Sequence, residues 1–283
     1  RRADQVLVRG VLFGAVTLSF VAVLALVTDA TTPLAIFLPW VAAGAAACFV
    51  AVLQLRRSAV RHRYRPRVDR SLAGALLRVG FPNHLLTLTE KAPGLVLPIV
   101  VTELLSPESN AVWYAVWMMV WAVYIIPISS GLALFVEAAD RPDQLRSAIA
   151  HSTRSALAFG TTAALFLALL APWALSLLGP RYADLGVTPL RILLCAFVPL
   201  VFVQAYFASC RARRRLSEAI ATGAVSGIAG VAAAAAAGTV YGLNGMAVAW
   251  LGTQLLTGIW ALSRLRWVSR RAADVRGVPE PAV

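Results

Sequence analysis

Eight stretches of this chain stay apolar long enough to cross a bilayer: about 8–28, 34–55, 81–104, 111–136, 155–178, 190–209, 218–240 and 244–263. No water reaches a backbone amide inside a bilayer, so a crossing segment must satisfy its own N–H and C=O groups. Stretches of this length do so as α-helices. The sequence therefore predicts an all-α integral membrane protein with about eight transmembrane helices. Composition agrees: 59% of the 283 residues are hydrophobic and 14% charged, where soluble domains carry about a quarter charged residues. No short apolar segment with a small-residue cleavage site precedes the first span, so no cleaved signal peptide is expected. The first residue is Arg1 rather than Met, and the sequence reads as part of a longer protein.

The net charge of +13 taken alone suggests nucleic acid, but its placement argues otherwise. Arg1, Arg2 and Arg9 precede span one, and Arg56, Arg57, Arg61, Arg63, Arg65, Arg67 and Arg70 follow span two. Arg141, Arg146 and Arg154 follow span four. Arg211, Arg213, Arg214 and Arg215 follow span six, and Arg264, Arg266, Arg270, Arg271 and Arg276 follow span eight. The alternate loops hold Asp29, Glu103, Glu108 and Asp184, with Arg181 and Arg191 as their cations. This is the positive-inside pattern. It predicts a multi-pass protein of the cytoplasmic membrane with both termini in the cytoplasm. It also makes the arginines topology determinants that touch anionic membrane lipids, with no nucleic-acid partner.

Cys48, Cys195 and Cys210 show no paired spacing, and His62, His84 and His151 are scattered. Neither a disulfide framework, a metal site nor a cofactor is expected. No nucleophile sits at usable spacing from a base, so the chain does not read as an enzyme.

The chemistry concentrates in span three. Lys91, the only lysine, follows Glu90 in the middle of that apolar stretch, where a charge costs about 2.5–3.5 kcal/mol by insertion scales. Glu90 lies about 13 Å in from Phe81 at helical rise, near the middle of a core about 30 Å thick. At about 100° per residue, Asn83, His84, Thr87, Glu90 and Lys91 fall within about 120° of one another, with Thr89 outside the stripe. Such a stripe belongs against a cavity or a polar partner. Neighbouring residues do not face each other on a helix, so Glu90 and Lys91 do not fully neutralise one another. Two readings stay open. In one, Lys91 meets the anionic head of a substrate and Glu90 a proton or other cation. In the other, both form structural ion pairs with other helices.

Span four places Trp113, Trp117, Trp121 and Tyr124 on one helix face. Trp117 and Trp121 are candidates for a glycan path, against the plainer reading of packing and an interfacial belt, with Trp113 at the belt. Segment 71–80 reads as a short surface helix and 137–154 as a helix on the inner surface or a loop. Span seven, rich in Gly and Ala, reads as a helix packed closely on its neighbours.

The block 80–137, and within it LLSPESNAVWYAVWM, the Pro127–Ser129 turn region and LALFVEA, resembles the polysaccharide exporters and flippases of the multidrug/oligosaccharidyl-lipid/polysaccharide (MOP) superfamily. The later segments LSLLGPRYADLGVTPLRILLCAFVPL and YGLNGMAVAWLGTQLL are similar to that family's last helices. The resemblance implies two six-helix lobes around a central cavity. Residues 1–55 would be the last two helices of the N-terminal lobe, 56–70 a basic cytoplasmic linker, 71–265 the C-terminal lobe and 266–283 a basic tail, with four helices before Arg1. It implies export of polyprenyl-linked oligosaccharide or polysaccharide intermediates by alternating access, with a proton or sodium ion as coupling ion. The alternatives are a cation-coupled multidrug exporter of the same superfamily and a non-transporting scaffold or partner-dependent subunit.

Overall fold

The computed structural model describes residues 3–27, 33–58, 70–140 and 145–274. All of its described elements are helices: α1 (Ala3–Val27), α2 (Pro33–Ser58), α3 (Arg70–Leu104), α4 (Pro107–Asp140), α5 (Leu145–Ser176), α6 (Pro180–Cys195), α7 (Phe197–Ala212) and α8 (Leu216–Asp274). Six of them are long and apolar enough to cross a membrane, and α6 with α7, bent by 41°, is together long and apolar enough for one further span. The apolar part of α8 runs 51 residues, Leu216–Arg266. At about 1.5 Å per residue that is more than twice a bilayer core of about 30 Å, so it must be two crossings. It breaks at Gly242 (φ 58°, ψ −148°), and the break makes the eighth span.

The two arms of α8 fold back on each other. Ser226 and Thr257 share a hydroxyl hydrogen bond of 2.7 Å. A methyl group added at Gly230 would sit 2.9 Å from Trp250, and one at Gly238 would sit 2.8 Å from Met246. One partner number climbs as the other falls, which is the signature of an antiparallel hairpin. Helices in lipid gain little by hiding apolar surface, so they associate through small residues and buried polar bonds; the glycine-rich first arm provides both.

Two compact units result, Arg1–Arg70 and Ser71–Val283. In the first, α1 and α2 pair as a hairpin, with Phe13 edge-on to Trp40 at 5.9 Å. The second holds the main core, where Leu97, Val101, Val112, Trp113, Leu175, Leu190 and Leu193 are fully buried. Its outward faces are apolar too, as at Phe159, Leu169 and Trp173, which suits a lipid solvent.

Local sequence sets the breaks. Ser106 caps α4, accepting the amide of Ser109 at 3.0 Å, with Pro107 at the first helical position. The α6–α7 bend falls at Ala196, three residues before Pro199. Pro199 has no amide to offer the turn before it, and its ring crowds the carbonyl four residues back. The Tyr124 hydroxyl donates to the Leu193 carbonyl at 2.6 Å, steadying this irregular backbone from α4. The α7–α8 turn closes by two backbone bonds: Arg215 N–H donates to Cys210 O at 2.8 Å and Arg214 N–H to Arg211 O at 3.2 Å. This is the Schellman pattern, but its left-handed residue, usually glycine, is Arg214 at φ 58°.

Three sequence expectations change. Segment 71–80 is not a separate surface helix but the first turns of α3. Segment 137–154 is divided between the end of α4 and the start of α5, with 141–144 outside the described residues. Trp113 is fully buried and stacks on Trp117 at 6.0 Å instead of lying at an interface.

Two of the residues at positive φ, Gly242 and Arg214, predict opposite responses. Gly242→Ala meets no neighbouring atom within 4 Å, so its cost is backbone strain alone, about 1–3 kcal/mol. Arg214→Gly relieves strain and raises stability by about 0.5–1 kcal/mol, after the greater freedom of glycine in the unfolded chain is counted. Thermal unfolding midpoints of the two variants in detergent check both signs.

Candidate functional site

Inside the second unit, α3, α4, α7 and both arms of α8 surround a cavity of about 70 Å³, room for about two waters. Leu86 and Leu97 are fully buried on α3, and the helix seats this face on α8 through two glycines. A methyl group at Gly223 would meet Thr89 Oγ1 at 2.5 Å, and one at Gly227 would meet Pro93 at 3.2 Å. That seating turns Thr89, Glu90 and Pro93 into the cavity.

Glu90 is held from two sides. Gln204 Nε2 on α7 donates to Oε1 at 2.8 Å. Arg211 Nη2, from the last turn of α7, donates to Oε2 at 3.2 Å. The Arg211 side chain is 7% exposed and the Glu90 side chain 15%. A carboxylate removed from water costs several kcal/mol unless paired and hydrogen-bonded, and here each oxygen has a donor. Beyond it the wall carries Trp117, Trp121 and Tyr124 from α4, and Ser226, Gln254 and Thr257 from α8. Trp117 meets Trp250 edge-on at 5.4 Å. The Trp250 indole N–H is buried without a hydrogen-bond partner among the described residues.

The structure thus brings together three of the seven residues singled out from the sequence: Glu90, Trp117 and Trp121. The other four lie elsewhere. Lys91 and His84 are exposed on a second face of α3. Thr87 turns its hydroxyl back to the Asn83 carbonyl at 3.1 Å, and both residues are half-buried. The stripe divides because the inward direction of α3 falls between Thr89 and Glu90, along the line of Leu86, Pro93 and Leu97. Glu90 sits at one edge of the polar stripe and faces in, while Lys91, one residue on, is carried round to the outside.

Sequence reasoning missed Gln204, Gln254 and Arg211. The signal for the two amides was present, since each interrupts an apolar span. Arg211 carried no such signal: it opens a run of loop arginines, and only its bond to Glu90 shows that it reaches inward. Among the described residues no three His, Cys, Asp or Glu side chains gather as a metal site would need.

The fold is that of solved transporters. An inward-facing multidrug resistance MATE family transporter of the MOP superfamily matches with a TM-score of 0.74 and 16% identity, over 95% of this chain and 66% of its own. An outward-facing one matches at 0.69 and 16% over 93% and 63%, and a MATE structure in the straight conformation at 0.70 and 17% over 95% and 64%. The chain thus spans just under two thirds of the length of these transporters. No family model and no curated protein matches the sequence.

The Glu90–Arg211 pair makes a prediction. Arg211→Gln strands the carboxylate and Glu90→Gln strands the guanidinium, and each costs about 3–5 kcal/mol, whereas the double variant recovers most of the loss. Yield of monodisperse protein and thermal midpoint, measured across the four combinations, check it. Additive losses would show that the pair is not coupled.

Proposed function

We propose that this chain is part of an alternating-access exporter of polyprenyl-linked oligosaccharide or polysaccharide intermediates. In this reading Ser71–Val283 forms one lobe, and α1 and α2 belong to the other. The observation that carries it is Lys91: a cation near the middle of a span, exposed, and without an ion pair among the described residues. In lipid such a charge is costly. Facing a water-filled path it is free to take the anionic head of an amphiphile whose tail stays in the bilayer. His84 lies two turns away on the same exposed face and extends that path.

A second reading has its own support. The matching structures include multidrug resistance transporters in inward- and outward-facing conformations, and a cavity holding a carboxylate and tryptophans suits organic cations. Glu90 also offers a site for a coupling proton or sodium ion, in competition with Arg211. A scaffold without transport is the third reading.

One experiment separates them. Lys91 is exposed and strands no partner when removed, so Lys91→Ala leaves abundance near wild type and lowers glycan export about tenfold or more, while Lys91→Arg retains most of it. Loss of drug efflux with intact glycan export supports the multidrug exporter. Unchanged transport of both ends the role of Lys91, and loss of export in step with abundance makes it structural.

In this reading both termini are cytoplasmic, an orientation supported by the arginine-rich loops. A cysteine at Arg214, in a chain with Cys48 and Cys195 replaced, is then protected from impermeant thiol reagents in intact cells. Ready labelling reverses the orientation.

A further inference from the structure

The α7–α8 turn and the last turns of the second arm of α8 meet at one end of the larger unit. Arg213, Arg215 and Arg264 line a shallow notch there, and Glu218 is the only acid in it. That acid is fully engaged. Arg215 Nη2 reaches Oε2 at 2.7 Å, while Arg264 reaches Oε1 through Nη2 at 2.5 Å and Nε at 3.0 Å. The Tyr206 hydroxyl donates to the same oxygen at 3.0 Å. One carboxylate cannot neutralise three guanidinium groups. Arg213 and Arg214 are exposed and carry no ion pair among the described residues.

The surface beside this charge is apolar. Arg264 folds back over the ring of Trp260, its guanidinium carbon 5.3 Å from the ring centroid. Below Trp260 on the same arm, Ile259 is 66% and Leu256 72% exposed. Going up this face, an aliphatic strip gives way to an indole, then to stacked and free guanidinium groups. That is the profile of a bilayer from acyl chain to headgroup. A free phosphate would use the cations alone. An anionic phospholipid uses both parts, its phosphate over the arginines and its chains along Trp260, Ile259 and Leu256.

We infer that this end of the protein holds an anionic phospholipid, with its phosphodiester bound by Arg213, Arg214 and Arg264 and its acyl chains on the exposed face of the second arm of α8. The turn is suited to this because two backbone bonds fix it, so Arg213 and Arg214 are presented without ordering a loose loop. The strained backbone at Arg214 is consistent with a position kept for its charge, since glycine would serve the turn better.

The test is a titration of the full chain in neutral detergent, with bound lipid counted by native mass spectrometry. The probes are dioleoyl phosphatidylglycerol, dioleoyl phosphatidylcholine and inorganic phosphate as competitor. Phosphatidylglycerol should bind about tenfold or more tightly than phosphatidylcholine, and phosphate at matched concentration should not displace it. At about fivefold per arginine near a membrane surface, Arg213→Gln should weaken phosphatidylglycerol binding about fivefold and Arg213→Gln with Arg214→Gly about thirtyfold. Arg181→Gln, outside the notch, should change nothing. Neither Arg213 nor Arg214 forms an ion pair with Glu218, so both variants are expected to fold, and the wild-type lipid preference decides the matter without them. Equal affinity for the two lipids, wild-type binding by the double variant, or displacement by inorganic phosphate overturns the proposal, the last by showing a site for a free anion.

Discussion

Helices that share an apolar solvent gain nothing by turning apolar faces toward one another, and every other feature of this structure follows from that. What holds the larger unit together is what lipid cannot supply: close approach where a side chain is missing, and hydrogen bonds that would otherwise go unmade. Gly223 and Gly227 let α3 rest on α8. Ser226 and Thr257 join the two arms of α8, and Tyr124 ties α4 to the irregular backbone at the α6–α7 bend. The Glu90 carboxylate, bonded by Gln204 and Arg211, joins α3 to α7 in the same way with greater force. The cavity lies among these polar links, lined by Thr89, Glu90, Tyr124, Gln204, Ser226 and Thr257.

Glu90 and Lys91 show how one helix separates a partnered charge from an exposed one. They are adjacent in sequence and opposite in charge, yet one residue of helical rotation gives them different surroundings. Glu90 is partnered on both oxygens, so its charge is part of the architecture. Lys91 stands outside. The first is costly to change for the fold, whereas the second is exposed and can be changed without stranding a partner.

Much of the architecture was legible in the sequence because span length is a coarse signal that survives single-residue errors. The eighth span, set off from the seventh by the break at Gly242, was visible as the interruption between two apolar runs. The surface helix expected at 71–80 failed for a simple reason: nothing in that segment stops a helix, so it joins α3. The site was half legible. Periodicity put Glu90 and Lys91 in one polar stripe, but the inward direction of a helix depends on which neighbours carry glycine, and Gly223 and Gly227 lie more than 130 residues away. The partner of Glu90 was hidden for the same reason. Arg211 had an adequate explanation as a loop cation until its bond to Glu90 was seen.

The hairpin at Gly242 bears on how the chain enters a membrane at all. Neither arm of α8 is a comfortable lodger in lipid by itself, since the first exposes a nearly bare backbone of glycine and alanine and the second carries Gln254 and Thr257. Joined by a break of a single residue, they have too little chain between them to be delivered one after the other. They must cross as a pair, already matched, and the polypeptide emerges on the side from which it set out.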